Sequence, residues 1–512
     1  MTDDQHDVIA FLSDASSYGA SVDRVEILET HASLVFLAGD CAYKLKRAVR
    51  YQYLDFSTAE RRREACEAEL TLNRRTAPAL YLEVRGIVRT AAGELAFSSS
   101  GRAVDWVVVM RRFDQALLFD ALAKRGGLDP QLMDELADHV ALFHLAAERR
   151  LDRGGAAEMR RLAETQHECL AAAPSSGFAL DRVASILEKW HEGLAILAGL
   201  LDGRRAAGKV RRCHGDLHLR NICLLDGKPV LFDCLEFDET LASIDVLYDL
   251  AFLLMDLEHR GLADFANRVS NRYLDRTSED DGLAAMPLFL SLRAAIRAHV
   301  SATAVEQATG DAGASELRSE ARRYLDLAYR ALQPEPCRLI AIGGVSGSGK
   351  STLAASLAPE LGLKPGARVL RSDVARKLLL GVAPETQLPA SAYTHQMSRR
   401  VYDALRQKAA VALKAGYTVI IDAVALRPEE RKSFAELARA AGVPFSGLWL
   451  EAPPATMASR IDARRRDASD ATAEILAEQL RRDPGAIEWI RIDTGGGPDG
   501  SVAAARRALT RN

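Results

Sequence analysis

Residues 213–249 read CHGDLHLRNICLLDGKPVLFDCLEFDETLASIDVLYD and form the chain's densest run of catalytic-type residues. The run opens with His214-Gly215-Asp216-Leu217-His218-Leu219-Arg220-Asn221. A short apolar strand, Pro229-Val230-Leu231-Phe232, then delivers Asp233. The order is loop, hairpin, acid. Transfer of a phosphoryl group from ATP needs a carboxylate to orient or deprotonate the acceptor hydroxyl, and oxygen ligands for the Mg²⁺ that neutralises the phosphates. Asp216 suits the first role, and Asn221 and Asp233 suit the second.

The five-residue step from Asp216 to Asn221 matches a kinase catalytic loop, and Asp233 falls where a kinase places its metal-binding Asp. The stretch resembles the aminoglycoside phosphotransferase branch of the kinase-like fold, where His-Gly-Asp stands in for His-Arg-Asp. Cys234 and Leu235 replace the usual Phe-Gly. The resemblance also implies that Asp249 braces the catalytic loop without taking part in catalysis. A plain turn with solvated acids would leave the order of acid, amide and second acid unexplained.

Upstream, Val25 to Arg47 alternates as half-buried strands do: VEILET, LVFLAG and AYKLKR. A three-stranded meander is expected. In a kinase-like N-lobe the third strand supplies a Lys to the ATP phosphates. Lys44 and Lys46 lie on the same strand face, so parity leaves both open, and the resemblance favours Lys44. With no GxGxxG present, the phosphate-covering turn is Thr30-His31-Ala32-Ser33. The helical segment 57–73, with Ser57 as its cap, fills the slot of the helix whose Glu pairs with that Lys. Glu69 is the choice, with Glu67 and Glu64 as rivals. Strands at about 82–89 and 104–110, joined by a Gly/Ser-rich turn, lead to Met110-Arg111-Arg112-Phe113 as the adenine hinge. The later helices resemble the helical lobe of small-molecule kinases, with His139 and His144 as packing residues.

The stretch Gln333-Pro334-Glu335-Pro336 reads as a stiff linker. It sets the expected domains: 1–332, a linker over 333–337, and 338–512. Beyond it an apolar strand runs into Gly344-Val345-Ser346-Gly347-Ser348-Gly349-Lys350-Ser351, with a helix behind. This is GxxxxGK[ST] in strand–loop–helix context, a nucleotide-binding P-loop. Its glycines let backbone N–H groups wrap phosphate oxygens, Lys350 reaches the β/γ-phosphates, Ser351 holds Mg²⁺, and Thr352 completes the set.

Two more strands end in acids, one at Ser372-Asp373 and one at Asp422, where doubly wound sheets place ligands. Asp422 resembles a Walker B acid. Ala423 follows it where a AAA-type ATPase motor usually has Glu, which favours transfer to a bound acceptor over hydrolysis. The segment resembles the P-loop kinases related to gluconate kinase, phage polynucleotide kinase and zeta toxin. That resemblance implies Asp373 as base, Arg376 as acceptor clamp, and Arg460 and Arg464 as lid arginines. Arg465 and Arg466 read equally as a solvated helix face.

The chain has 512 residues, a formal net charge of -3, seven Cys without a CxxC pair, and an acidic N-terminus. Neither a disulfide framework nor a zinc site is indicated, no apolar run reaches membrane-spanning length, and a soluble cytoplasmic protein is expected. The expected fold is α/β and α+β in two domains: a protein-kinase-like fold, then a P-loop NTPase with a doubly wound parallel sheet. The expected activity is ATP- and Mg²⁺-dependent phosphorylation of a small hydroxyl compound such as a sugar or aminocyclitol. Polynucleotide 5′-hydroxyl kinase activity and a nucleotide-sensing regulator are the alternatives; no aromatic platform or basic stripe favours nucleic acid.

Overall fold

The alternating apolar side chains between Val25 and Lys46 form three antiparallel strands, Val25–Glu29, Ser33–Ala38 and Cys41–Lys46. The computed structural model describes residues 4–30, 32–51, 54–98, 102–173, 177–236, 238–307, 311–463 and 468–510. His31 of the covering turn and the Gly/Ser-rich residues 99–101 fall outside them. Cys41–Lys46 pairs onward with Ala103–Arg111, then Tyr81–Arg89, then Leu95–Phe97, completing an antiparallel sheet. The unbroken apolar run Val107-Val108-Val109-Met110 reflects cover on both faces. Val107 and Val109 pack with Phe36 and Leu45, whereas Val108 and Met110 pack with Leu37, Cys66 and Tyr81.

The helix Ala59–Asn73 lies against the strand Ala103–Arg111. It is strongly charged, and it buries Arg62, Cys66, Glu69 and Asn73 along one face. Arg62 grips Asp105 through Nε and Nη2 at 2.8 and 2.9 Å, both side chains lying out of water. Thr58, one residue beyond the expected Ser57, caps the helix by accepting the Arg61 N–H.

The chain divides into two compact units: Met1–Gly155 with Asp202–Leu253, and Ala156–Leu201 with Leu254–Asn512. This line differs from the boundary expected at 333–337. In the second unit Arg368–Arg371, Val419–Asp422, Leu339–Gly343, Phe445–Glu451 and Ile490–Asp493 lie side by side in that order, all parallel. The expected P-loop sheet is therefore present, with Leu339–Gly343 buried at its centre. The segment Asp280–Val305 is long and apolar enough to cross a membrane by length and composition, contrary to expectation. Its most apolar window is 67% buried within the protein, so packing accounts for its apolarity.

The reason the helices after 254 join the second unit is visible at the sheet edge. Arg368–Arg371 is an edge strand, whose open side needs partners. The helix Ala263–Thr277 supplies them from residues spaced four apart on one face. Asn267 Nδ2 donates to Pro365 O and Ala367 O at 3.1 and 3.0 Å, and Asn271 Oδ1 accepts the Val369 N–H at 2.7 Å. Asp275 and Asp280 each lie 2.7 Å from the buried guanidinium of Arg368.

Arg368→Met leaves two largely buried carboxylates without this partner. We expect it to destabilise the second unit by about 3–5 kcal/mol. Adding Asp275→Asn and Asp280→Asn should recover part of the loss. Thermal denaturation of the full chain checks this, and an unchanged melting curve for Arg368→Met would show that the cluster is no structural joint.

Candidate functional sites

In the first unit, Glu69 is fully buried between two lysines. Lys44 Nζ lies 2.8 Å from Oε1 and Lys46 Nζ lies 2.6 Å from Oε2. Lys44 also reaches Asp233 Oδ1 at 2.6 Å, and Lys46 reaches Glu236 Oε1 at 2.6 Å. Lys44 and Lys46 therefore share a face, as strand parity requires, and Glu69 serves both, while Glu67 stays exposed beside Arg63. Burial raises the Glu69 carboxyl, but the two ammonium groups outweigh it and hold it down at about 2. Burial works against the Lys44 charge, yet Asp233 and Glu69 raise that amine well above its ordinary value. Lys46 is the rival that strand parity leaves open beside Lys44, whereas Glu236 carries no signal in the sequence for this network.

The catalytic-type loop is built on Asp249, as the resemblance implied. Its Oδ1 accepts the Gly215 N–H at 2.9 Å and its Oδ2 accepts the His214 N–H at 3.0 Å. His144 Nε2 lies 3.0 Å from the same Oδ2, so this residue, expected only to pack its helix, also braces the loop. Gly215 sits at φ +83° with Leu235 and Ala242 crowding the place of a Cβ. Asn221 Nδ2 donates to Asp216 Oδ2 at 2.8 Å and to Asp216 O at 3.0 Å. The Asp216 side chain stays 38% exposed. Leu37, Gly39, Arg112 and Phe113 help to line a cavity of ≈ 500 Å³.

The second unit holds the other site. Gly344, Gly347 and Gly349 all take positive φ, and a Cβ on Gly347 would stand 2.5 Å from Met457 O, so the loop tolerates no side chain there. Lys350 Nζ donates to Val345 O at 3.0 Å, and Ser351 Oγ donates to Asp422 Oδ2 at 2.6 Å. Ser348 Oγ is buried without a hydrogen-bond partner among the described residues. Lys350, Ser351, Thr352, Asp373, Arg376 and Asp422 line one cavity of ≈ 760 Å³. Burial pushes the Asp373 carboxyl up, with the charge of Asp422 adding and Arg371 opposing.

Two of the arginines that the resemblance singled out are held by contacts of their own. Arg376 lines the cavity, but it packs over the Tyr393 ring at 4.6 Å and donates to Ala392 O at 3.0 Å, so it also fixes the cavity wall. Arg460 is outside this cavity. It donates to Thr494 O at 2.6 Å and lines a separate pocket of ≈ 310 Å³ with Gly347, Gly349, Thr352 and Pro498. It therefore flanks the P-loop at Gly347, where Thr494 holds its guanidinium. Arg464, with Arg465 and Arg466, lies outside the described residues.

A model of the Phosphotransferase enzyme family matches residues 40–289, and a model of the AAA domain matches residues 339–483. The uncharacterized protein Rv2004c of Mycobacterium tuberculosis (strain ATCC 25618 / H37Rv) is 32% identical over 491 residues, 94% of this chain and 94% of its own. Among solved structures, the amicoumacin kinase hAmiN in complex with AMP-PNP, Ca2+ and Ami is 16% identical. It covers 59% of this chain and 88% of that one, with a TM-score of 0.37. A gluconokinase from Sinorhizobium meliloti 1021 is 21% identical and covers 35% of this chain and 94% of its own, with a TM-score of 0.26. The chain is an enzyme of the kinase and phosphotransferase class, a kinase-like fold followed by a P-loop kinase fold. It belongs to the same family as the mycobacterial protein, with a phosphotransferase enzyme family domain followed by an AAA domain.

Proposed function

We propose that the chain transfers the γ-phosphoryl group of ATP, with Mg²⁺, to a hydroxyl of a small molecule such as a sugar or aminocyclitol, using one kinase-type site in each module. The observation that carries this reading is the contact of Lys44 with both Glu69 and Asp233, 189 positions away from it, next to the loop where Asn221 orients Asp216. A bound Mg²⁺ neutralises phosphate charge and fixes phosphate geometry. The donor set fits such a hard cation. Asn221 turns its amide N–H to Asp216 and leaves Oδ1 as a ligand, and the Asp233 carboxylate is 41% exposed. In the second site the Ser351 hydroxyl and Asp422 carboxylate already share a hydrogen bond, and the unpartnered Ser348 hydroxyl suits a phosphate oxygen.

Within the first site, Asp216 takes the acceptor's proton, while Glu69 holds Lys44 for the phosphate oxygens. Within the second, Asp373 is the base, its raised carboxyl bringing it nearer the operating pH. Arg376 keeps the acceptor wall in place, and Arg460 belongs to the nucleotide side of the loop. Seven free cysteines support placing the protein in a reducing cytoplasm.

Asp216→Ala, in a chain whose second site is disabled by Lys350→Ala, should lower transfer by about 10²-fold or more and leave ATP affinity near wild type. The measurement is ATP consumption against panels of sugars, aminoglycosides and oligonucleotides, with mass detection of the product. Turnover near wild type in the variant would refute the role of Asp216, and product formed only on oligonucleotides would favour the nucleic-acid reading.

The pH profile tests Asp373 separately, in a chain carrying Asp216→Ala. A base with a raised pKa works only above it. The second site's kcat/KM should therefore fall with decreasing pH through a pKa above the ordinary Asp value. Asp373→Asn should remove transfer, and an acid limb that persists unchanged in a residual activity of that variant would exclude Asp373 as its source.

A further inference from the structure

Resting on the reading of Asp233 as the first site's metal carboxylate, we propose that Lys46 and Glu236 are positioning residues that anchor the Asp233 segment from within the protein. The segment needs an anchor. Asp233 sits at φ +58°, a left-handed conformation that a non-glycine residue keeps only when its surroundings fix it. The Phe-Gly pair that usually follows this Asp is replaced by Cys234-Leu235.

The backbone around Asp233 is held on several sides. Phe232 N–H donates to Asn221 O at 3.0 Å and Leu235 N–H to His214 O at 2.9 Å. Asp233 N–H donates to the Tyr81 hydroxyl at 3.2 Å, and Cys234 N–H to Asn73 Oδ1 at 2.9 Å. The side chains add a staple. Asp233, Lys44, Glu69, Lys46 and Glu236 form an unbroken line of alternating charge, joined by contacts of 2.6, 2.8, 2.6 and 2.6 Å. Two lysines on one strand face thus meet two acids three residues apart on the loop, with Glu69 shared between them.

The two ends of this line differ in exposure. At the Asp233 end the side chains of Asp233 and Lys44 are 41% and 14% exposed, whereas at the other end Glu236 and Lys46 are 10% and 1% exposed. Lys46 Nζ also stands 5.0 Å from the Phe56 ring centroid. Lys44 contacts Oδ1 of Asp233, so the carboxylate takes up a cation through Oδ2 or by exchanging Lys44 for it. The buried Lys46–Glu236 contact stays made and holds the segment's position while that happens.

The test separates position from charge. Free Mn²⁺ is followed by its electron paramagnetic resonance signal during titration of the full chain carrying Lys350→Ala, in the presence of AMP-PNP. Loss of the anchor should weaken Mn²⁺ binding about tenfold in Lys46→Met, in Glu236→Gln and in the double variant, as loss of supporting contacts does at metal sites. Charge alone would act differently: Lys46→Met would tighten binding, Glu236→Gln would weaken it, and the double variant would match the parent. The double variant leaves neither buried partner charged and alone, so it decides the matter even if Lys46→Met does not fold. Parent-like binding in the double variant would overturn the proposal. Asp233→Asn is the control for the underlying reading: unchanged Mn²⁺ binding there would overturn both, whereas loss there with parent-like binding in the double variant would overturn the anchor alone.

Discussion

A carboxylate with no exposure to water is costly unless it is matched, and Glu69 is matched twice. The requirement brings three pieces of the first unit to one point: the strand Cys41–Lys46, the helix Ala59–Asn73 and the segment after the hairpin that carries Asp233. Because the two lysines hold Glu69 at about 2, against an ordinary value of 4.5, its ionised form favours the fold at neutral pH. That contribution is lost only as the pH falls below the ordinary value and through about 2. Lys44 thus stands on a partner that stays ionised at neutral pH.

The two modules meet the same chemical need with opposite means. In the first, long side chains from distant positions are brought together and made rigid by mutual charge. In the second, the backbone of one short loop provides the cradle, and glycines are required because Met457 O, Leu450 O and Ser348 Oγ occupy the space a Cβ would need at Gly347 or Gly344. A side-chain site depends on the fold around it, and a backbone site depends mainly on its own loop. This difference explains why Lys350 and Ser351 fall where their motif puts them, while Lys44 acquired a companion in Lys46.

Polar docking recurs in both units. Arg62 with Asp105 fastens a charged helix to its sheet, and Arg368 with Asp275 and Asp280 fastens a helix to a sheet edge. Such pairs add little net stability over apolar packing, but they penalise any register in which one partner is left unmatched. The edge strand so fixed ends at Arg371, immediately before the helix that presents Asp373 and Arg376 to the cavity shared with the P-loop.

The sequence by itself determined the elements whose information is local. Alternation marked the three-stranded meander, and the P-loop and the HGD-to-Asp233 order marked the two sites, because short-range periodicity and turn chemistry set those structures. It also identified Glu69 and Asp249, through their resemblance to known kinases. What tertiary structure alone decided are pairings that no spacing encodes: Lys46 with Glu236, His144 with Asp249, Arg460 with Thr494, and Arg368 with its acids. The same holds for the line between the compact units, which passes within helical segments rather than at the proline-rich stretch 333–337. A buried charge takes whichever partner the packed chain presents within reach, and that depends on three-dimensional proximity.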